Sequence, residues 1–139
     1  MNPAFFLIAA LLLALPSQYN LPTKTQKLRN TFVTAAETVI DDAGMIDVKA
    51  DDASFAPQLQ SLKTAKDNLK NLAESDREQE IASEASDLVF AVSACHLQAK
   101  DGTPTDACQA QVGRARVRMM ENINKHKING AWVDGPPTA

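Results

Sequence analysis

Aromatic residues are scarce in this sequence, at 5% of its 139 residues, and glycine occurs only five times. Sheets draw on aromatic and β-branched side chains, so this composition argues against an all-β fold. The low glycine content argues against collagen, and a hydrophobic share of 45% argues against low-complexity disorder. The apolar residues are mostly small or aliphatic helix formers, and the length suits one globular domain.

Charge is missing from the beginning of the chain, where the first charged side chain is Lys24. Residues 4–15 are all apolar, which is the length of a signal-peptide core and falls short of the roughly twenty residues that span a bilayer. Pro16 and Ser17 supply a helix break and a small residue for cleavage. We predict a signal peptide or N-terminal hydrophobic anchor at residues 1–17, hence a periplasmic or secreted protein. The alternative is a membrane-associated protein that faces the exported side, with membrane contact through residues 4–15.

Motifs that would identify a reaction are also missing. The chain has no Cys-x-x-Cys-His for covalent haem, no Glu-x-x-His of di-iron bundles, no glycine-rich phosphate loop and no Gly-x-Ser-x-Gly. No pair of ionisable residues is held at a spacing that would tune a pKa for catalysis. We therefore predict no catalytic residue, no cofactor and no enzymatic role.

Four residues have the donor types that zinc prefers, namely Cys95, His96, Cys108 and His126. Cys108 and His126 are eighteen residues apart on one predicted helix, which is about 27 Å at 1.5 Å per residue, so they cannot share an ion. Cys95 and His96 are adjacent and point about 100° apart, which also excludes a thiol–imidazole nucleophile. We predict no metal site.

From Lys24 onward, apolar residues recur at steps of three and four, which predicts helices with one buried stripe. The predicted fold is all-α: an up-down-up-down four-helix bundle at residues 18–128, preceded by the hydrophobic leader and followed by a C-terminal tail at residues 129–139. Short connections between the second, third and fourth helices favour antiparallel neighbours. A helical array with different connectivity is the alternative.

Capping residues predict several helix ends. Helix one is expected to end at Gly44, which would adopt a left-handed conformation. Helix three is expected to begin with a capping box formed by Ser75 and Glu78. Helix four is expected to begin at Thr103, with Pro104 at its first position.

The third helix has the most regular pattern, with apolar residues at alternating steps of four and three: Ile81, Ala85, Leu88, Val92, Cys95 and Ala99. We interpret Phe90, Ala94 and Leu97 as widening this stripe, which would make helix three the most buried of the four. If the protein is a ligand carrier, Phe90 and Met119 would line an apolar cavity between the helices.

Cys95 and Cys108 are placed symmetrically about the loop at residues 100–106. In a hairpin folded at that loop, symmetrically placed residues face each other, and both cysteines fall on apolar stripes. We predict a disulfide between Cys95 and Cys108, with two buried free thiols as the alternative. A bridge would fit the oxidising compartment that the leader implies independently.

The acidic start of helix three and the basic end of helix four would complement each other in an antiparallel hairpin, and each suits the helix dipole at its end. The basic residues concerned are Arg114, Arg116, Arg118, Lys125 and Lys127. A nucleic-acid interface is the competing interpretation of this stretch, but the chain has a net charge of −3. We predict no nucleic-acid partner.

In outline, the chain resembles the small exported four-helix haem cytochromes, through its size and through His126 late in the last helix. The resemblance implies a haem between the helices with His126 as one ligand. Those proteins take the opposing ligand from a methionine at the start of helix one, and residues 24–31 contain none. Met119 and Met120 lie on the same helix as His126 and cannot face it across a haem. We therefore interpret His126 as an end-of-helix residue.

Five carboxylates lie around the link between the first two helices, namely Asp41, Asp42, Asp47, Asp51 and Asp52. Their spacing does not match an EF-hand, which needs alternating ligands, a glycine at the sixth position and a final glutamate. We interpret them as a solvated loop with helix-capping aspartates.

The tail contains the only tryptophan, Trp132, next to Val133. We expect both to fold back over the end of the bundle, with a short peptide for a partner as the alternative.

These patterns predict a small exported helical-bundle protein that acts by binding or assembly, with an unknown protein partner or a membrane complex. One alternative is an accessory subunit of a membrane complex, tethered by an uncleaved N-terminal segment. Another is a carrier of a small apolar ligand or haem between the helices.

Overall fold

A computed structural model of the protein describes residues 28–125 and shows four α-helices there. α1 spans Asn30–Met45, α2 spans Asp52–Leu72, α3 spans Asp76–Lys100 and α4 spans Asp106–Asn124. No strand occurs within these residues, so the prediction of an all-helical domain is confirmed for them. The predicted leader at residues 1–17 and the tail at residues 129–139 lie outside the described residues.

α1 follows the extended residue Arg29 and continues through Gly44 to Met45. The prediction that Gly44 ends the helix in a left-handed conformation is therefore wrong. The guanidinium group of Arg116 lies where a Cβ at Gly44 would be, so any other residue at this position would require that flexible side chain to shift. Arg116 Nε donates a hydrogen bond to the carbonyl of Ile40 at 2.8 Å, so this side chain from α4 reaches across the last turns of α1.

α2 begins at a side-chain cap. The carboxylate of Asp51 accepts a hydrogen bond from the N–H of Ser54 at 2.7 Å, which confirms the capping interpretation for this aspartate. The buried side chains of the helix recur every seven residues, at Phe55, Leu62 and Leu69. This spacing gives α2 a single narrow buried seam, with its other faces in solvent.

α3 has two apolar faces rather than one wide stripe. Its inner face is buried and includes Ile81, Ala85, Leu88, Val92 and Cys95. Phe90 is 76% exposed and Leu97 is 58% exposed, so the prediction that they widen the buried stripe is wrong. The reason is geometric, since Phe90 is two residues from both Leu88 and Val92, and 100° per residue places it about 160° away from them.

A glycine capping motif ends α3, and α4 therefore begins later in the sequence than predicted. Gly102 has a φ of 77°, and its N–H donates to the carbonyl of Ala99 at 3.1 Å. The N–H of Thr103 donates to the carbonyl of Gln98 at 3.0 Å, which completes a Schellman motif. Thr103 therefore belongs to the end of α3, and α4 begins at Asp106 rather than at the predicted Thr103.

α1 and α3 form the centre of the domain, because each of them packs against all three other helices. α2 and α4 make no contact with each other within the described residues. At one end of the domain, Asp52 at the start of α2 binds Lys100 at the end of α3 at 2.9 Å. At the other end, Asn122 near the end of α4 binds Glu84 in the first half of α3 at 2.6 Å. Both pairs of neighbours are therefore antiparallel.

The buried carboxylate of Glu78 joins the start of α1 to the start of α3. Glu78 is 1% exposed, and it accepts hydrogen bonds from the Arg29 guanidinium at 2.8 and 3.1 Å and from the N–H of Arg29 at 3.2 Å. The N–H of Glu74 donates to it at 3.0 Å. The Arg29 guanidinium also donates to the carbonyl of Leu72, which ties in the end of α2. The pair of Glu78 and Arg29 thus connects three helix ends.

The predicted capping box at α3 is half correct. Ser75 Oγ accepts a hydrogen bond from the N–H of Glu78 at 3.1 Å, as predicted. The carboxylate of Glu78 does not return to Ser75, because Arg29 offers charge-assisted donors that are stronger than one backbone N–H.

The pKa of Glu78 reflects two opposing effects. Burial favours the neutral acid, but the hydrogen bonds from Arg29 and from the N–H of Glu74 outweigh it and lower the pKa below the ordinary value of 4.5. A lowered pKa in the folded state means that the ionised carboxylate stabilises the fold.

Replacing Glu78 by glutamine should lower the free energy of unfolding at pH 7 by about 2 kcal/mol, because the charge-assisted bonds to Arg29 are lost. The stabilisation is complete above the unfolded pKa and is lost as the pH falls through the folded pKa. Urea unfolding at several pH values should therefore show the two proteins converging in acid. Glu74→Gln is the matched control, since Glu74 is 74% exposed and 3.4 Å from Arg29; it should change stability by less than about 0.5 kcal/mol. Equal effects of the two substitutions would contradict the role of Glu78.

Candidate functional site

The outward face of α3 carries two of the large apolar side chains that are exposed in the described residues. Phe90 and Leu97 are its large side chains, with exposures of 76% and 58%. They are seven residues apart, and Ala94 lies between them on the same side of the helix, since steps of four and three return to one face. We call Phe90, Ala94 and Leu97 the outer stripe. A phenylalanine as exposed as Phe90 is the kind of group that partners bury.

Small and charged residues surround the outer stripe. Ser93 is half-buried beside Ala94, so the middle of the face carries no bulky side chain. Asp87 is exposed one turn before Phe90, and Lys100 lies one turn after Leu97. The face therefore has small side chains at its centre and one large apolar side chain on each side of it.

A second apolar pair lies on α4, where Val117 and Met120 are 46% and 41% exposed. Met120 borders an open groove of about 390 Å³ between α1 and α4. A similar groove of about 370 Å³ lies between α2 and α3 and includes Lys70, Ser83 and Ser86. Both grooves open to solvent.

The predicted apolar cavity between Phe90 and Met119 does not form. Met119 is fully buried, whereas Phe90 projects into solvent from the opposite side of α3. The prediction is wrong for the same geometric reason as the widened stripe.

The carboxyl group of Glu84 has a pKa raised above its ordinary value of 4.5. Burial is the main cause, and the neighbouring carboxylate of Glu80 adds to it, while the hydrogen bond from Asn122 and the charge of Arg118 act in the opposite direction. Oε1 of Glu84 is buried and has no hydrogen-bond partner among the described residues. Among the basic residues near the end of α4, Arg118 is close enough to Glu84 for its charge to favour the ionised carboxylate. Arg116 turns instead to the carbonyl of Ile40 on α1.

Replacing Glu84 by glutamine should stabilise the protein at pH 7 by about 0.5–1 kcal/mol, because it removes a poorly solvated charge and keeps an acceptor for Asn122. A carboxyl group with a raised folded pKa destabilises the fold once it ionises, so the gain should vanish below the unfolded pKa. Thermal unfolding at pH 7 and at pH 4 would measure both. Asp87→Asn, at an exposed position on the same helix, is the control and should have little effect at either pH. A loss of stability in Glu84→Gln at pH 7 would contradict the interpretation.

His96 is buried at the end of the domain where α2 begins. Its Nδ1 lies 2.9 Å from the carbonyl oxygen of Val48, and its Nε2 lies 2.8 Å from the carboxylate of Asp52. The ring stacks on Phe55 with 3.7 Å between centroids and an angle of 4°. Lys100 also binds Asp52, and these contacts with Lys100 and His96 lower the pKa of that carboxyl.

The surroundings of His96 favour a structural role. Each ring nitrogen lies within hydrogen-bond distance of an oxygen from a neighbouring segment, the carbonyl of Val48 or the carboxylate of Asp52, so the two contacts hold the ring in place. No group of histidine, cysteine or acidic side chains within residues 28–125 could hold a metal ion. Sequence reasoning missed this role, because nothing in the local sequence shows that the side chain meets Val48 and Asp52.

Four of the five carboxylates around the link between α1 and α2 have hydrogen-bond partners in the described residues. Asp47 accepts a hydrogen bond from the N–H of Lys49, and Asp42 accepts one from the hydroxyl of Ser61. Asp51 caps α2, and Asp52 binds His96 and Lys100. These contacts point the carboxylates toward different partners rather than toward a common centre.

Cys95 and Cys108 lie at disulfide distance, with 2.04 Å between the sulfur atoms and 5.4 Å between the Cα atoms. This is the pairing that their symmetric placement predicts. Cys95 is fully buried and Cys108 is 7% exposed, so the pair is enclosed between α3 and α4. A disulfide at this position is consistent with an oxidising exported compartment.

Mass spectrometry of the non-reduced native protein should find no alkylatable thiol. Because the bridge closes a short loop, the paired substitution Cys95→Ala with Cys108→Ala should lower the free energy of unfolding by about 3 kcal/mol. Added reductant should not change the free energy of unfolding of this double variant, whereas it should lower that of the native protein. Two alkylatable thiols in native material would contradict the bridge.

Several predicted features fall on residues that the structure does not describe. His126, Trp132, Val133 and residues 4–15 lie outside residues 28–125. Among the described helices, none is both long enough and apolar enough to cross a membrane. No family model matches the chain, and neither do the curated proteins or the solved structures with which it was compared.

Proposed function

We propose that this chain is a small exported protein, an up-down-up-down four-helix bundle that acts by binding or assembly and has no catalytic role. The observation that carries the proposal is the outer stripe, where Phe90 and Leu97 are exposed although α3 already has a complete buried face. A side chain as large as phenylalanine gains free energy when a partner covers it.

Two further observations support the proposal. The antiparallel contacts between α2 and α3 and between α3 and α4 fit the up-down-up-down connectivity. Both ends of α3 are held, by Glu78 at the start and by Cys95 near the end, so the outer stripe is presented on a rigid helix. Rigid presentation lowers the entropy that a partner must remove on binding.

Export is tested by N-terminal sequencing of the protein isolated from its native cells. We expect the mature chain to start near Gln18 and to remain in the exported soluble fraction. A chain that starts at Met1 and fractionates with membranes would overturn free export. It would favour the accessory subunit of a membrane complex, tethered through residues 4–15.

Binding through the outer stripe is tested by a photoreactive amino acid at position 90, activated in living cells. We expect an adduct of defined mass from position 90. The matched control carries the same photoreactive group at position 117, an exposed apolar position on α4. Equal labelling from both positions, or no adduct from position 90, would overturn the proposed role of this face.

A further inference from the structure

We propose that the groove between α1 and α4 is the docking site for the C-terminal segment of this chain, residues 126–139, with Trp132 and Val133 inside it. The sequence leaves two roles open for these two side chains, covering the bundle or binding a partner. The groove supplies a site for the first role. This inference does not depend on the outer stripe.

The groove combines apolar and acidic side chains. Ile40 and Ile123 line it and are almost fully buried, while Met120 borders it and is 41% exposed. Glu37 and Asp41 line it from α1 and are exposed. Neither carboxylate forms an ion pair with another described residue. The groove therefore offers an occupant both apolar surface and negative charge.

The C-terminal segment begins beside this groove. Asn124 also lines the groove, and the segment follows directly after Lys125. Six residues separate Lys125 from Trp132, and seven steps of about 3.3 Å give a reach of about 23 Å. Met120 and Asn124 are only about 6 Å apart along the axis of α4. The segment is thus long enough to turn back and bring Trp132 level with Met120.

The sequence of the segment suits such a reversal. Asn129 and Gly130 form a dipeptide typical of tight turns, and they come just before Trp132 and Val133. A turn there would direct the apolar pair back along α4. Trp132 is the only aromatic residue of the segment, and a covered aromatic side chain buries about 150–250 Å². Its ring would therefore supply most of the apolar contact.

The start of the segment is basic, whereas the groove is acidic. The basic side chains are Lys125, His126 and Lys127. Asp134 is the only acidic side chain in residues 125–139. Exposed charges attract over about 8 Å at physiological salt, so the lysines favour a groove that is lined by two carboxylates. Asp134 reduces this attraction without reversing it.

The other large groove, between α2 and α3, fits the segment less well. It is lined by Lys70, which would repel a basic segment, and by Ser83 and Ser86. It has no large apolar side chain among its lining residues. The groove between α1 and α4 is thus the better match in both charge and apolar surface.

The covalent connection favours this segment over a separate partner. A short linker holds Trp132 near the groove at an effective concentration in the millimolar range. A free competitor would need a similar concentration or a much higher affinity to displace it. Weak contacts therefore suffice to fill the groove from within the chain.

Trp132 is the only tryptophan of the chain, so its fluorescence reports the docking directly. In the full chain as isolated, we expect emission at shorter wavelength and weaker quenching by acrylamide than in the urea-unfolded protein. Met120→Gln should shift the emission to longer wavelength and increase the quenching, because it removes the exposed apolar side chain of the groove. Val117→Gln is the matched control, since Val117 is 46% exposed on the same helix but does not line the groove.

The control should leave emission and quenching unchanged. Emission like that of the unfolded protein, no effect of Met120→Gln, or equal effects of the two substitutions would overturn the inference.

The acidic side of the groove is tested by charge removal. Glu37→Gln combined with Asp41→Asn should increase the quenching of Trp132, because the basic start of the segment loses its attraction. Asp101→Asn combined with Asp106→Asn removes the same charge from exposed positions outside the groove and should have no effect. Circular dichroism verifies the fold of both variants. Equal quenching in the two variants would overturn the docking against α1.

The position of Trp132 is tested by p-benzoylphenylalanine at position 132 of the full chain, because its benzophenone group forms a bond to C–H groups within reach on irradiation. We expect an adduct within the chain, mapped by mass spectrometry of its peptides to Met120 or to residues 37–41. An adduct with residues 4–15, with a second copy or with another protein would overturn the inference. None of these results would change the assignment of the outer stripe as a binding face.

Discussion

The structure depends on one buried carboxylate. Glu78 is fully enclosed, and a charge in that position is tolerated only because Arg29 neutralises it and the N–H of Glu74 donates to it. The partners come from the start of α1 and from the turn before α3, while Arg29 also binds the end of α2 at Leu72. Three helix ends must therefore meet at this point for the charge to be satisfied. The hydrogen bonds to Glu78 form only in particular orientations of the helix ends, whereas the packing of alanine and leucine side chains does not depend on direction in this way.

Satisfying Glu78 also fixes the rotation of α3 about its axis. Glu78 points inward at the start of the helix, and Cys95 points inward near its end, toward Cys108. With both positions inside, the opposite side of the helix must face solvent, and that side carries Phe90 and Leu97. The exposed outer stripe is thus a consequence of how α3 is held. A rigid helix that cannot turn its phenylalanine inward is well suited to presenting it to a partner.

The periodicity of the sequence predicts the helices, and the symmetry of the cysteines predicts their pairing, because both are local or nearly local patterns. The outward position of Phe90 could also have been predicted, since it lies two residues from Leu88 and Val92 on a helix. The roles of Glu78 and His96 could not, because their partners Arg29, Val48 and Asp52 are more than forty residues away. Gly44 is similar: its close neighbour, Arg116, comes from another helix.

The central claim is that α3 has a buried face and an exposed apolar face. It is tested most directly by fluorine NMR of the protein with 4-fluorophenylalanine in place of every phenylalanine. Single Phe→Leu substitutions would assign Phe32, Phe55 and Phe90, and the dilute protein would be titrated with a soluble nitroxide. Phe32 is fully buried and Phe55 is 4% exposed, whereas Phe90 is 76% exposed. Only the Phe90 resonance among these three should broaden strongly. Protection of Phe90 to the same degree as Phe32 would contradict an outward apolar face on α3.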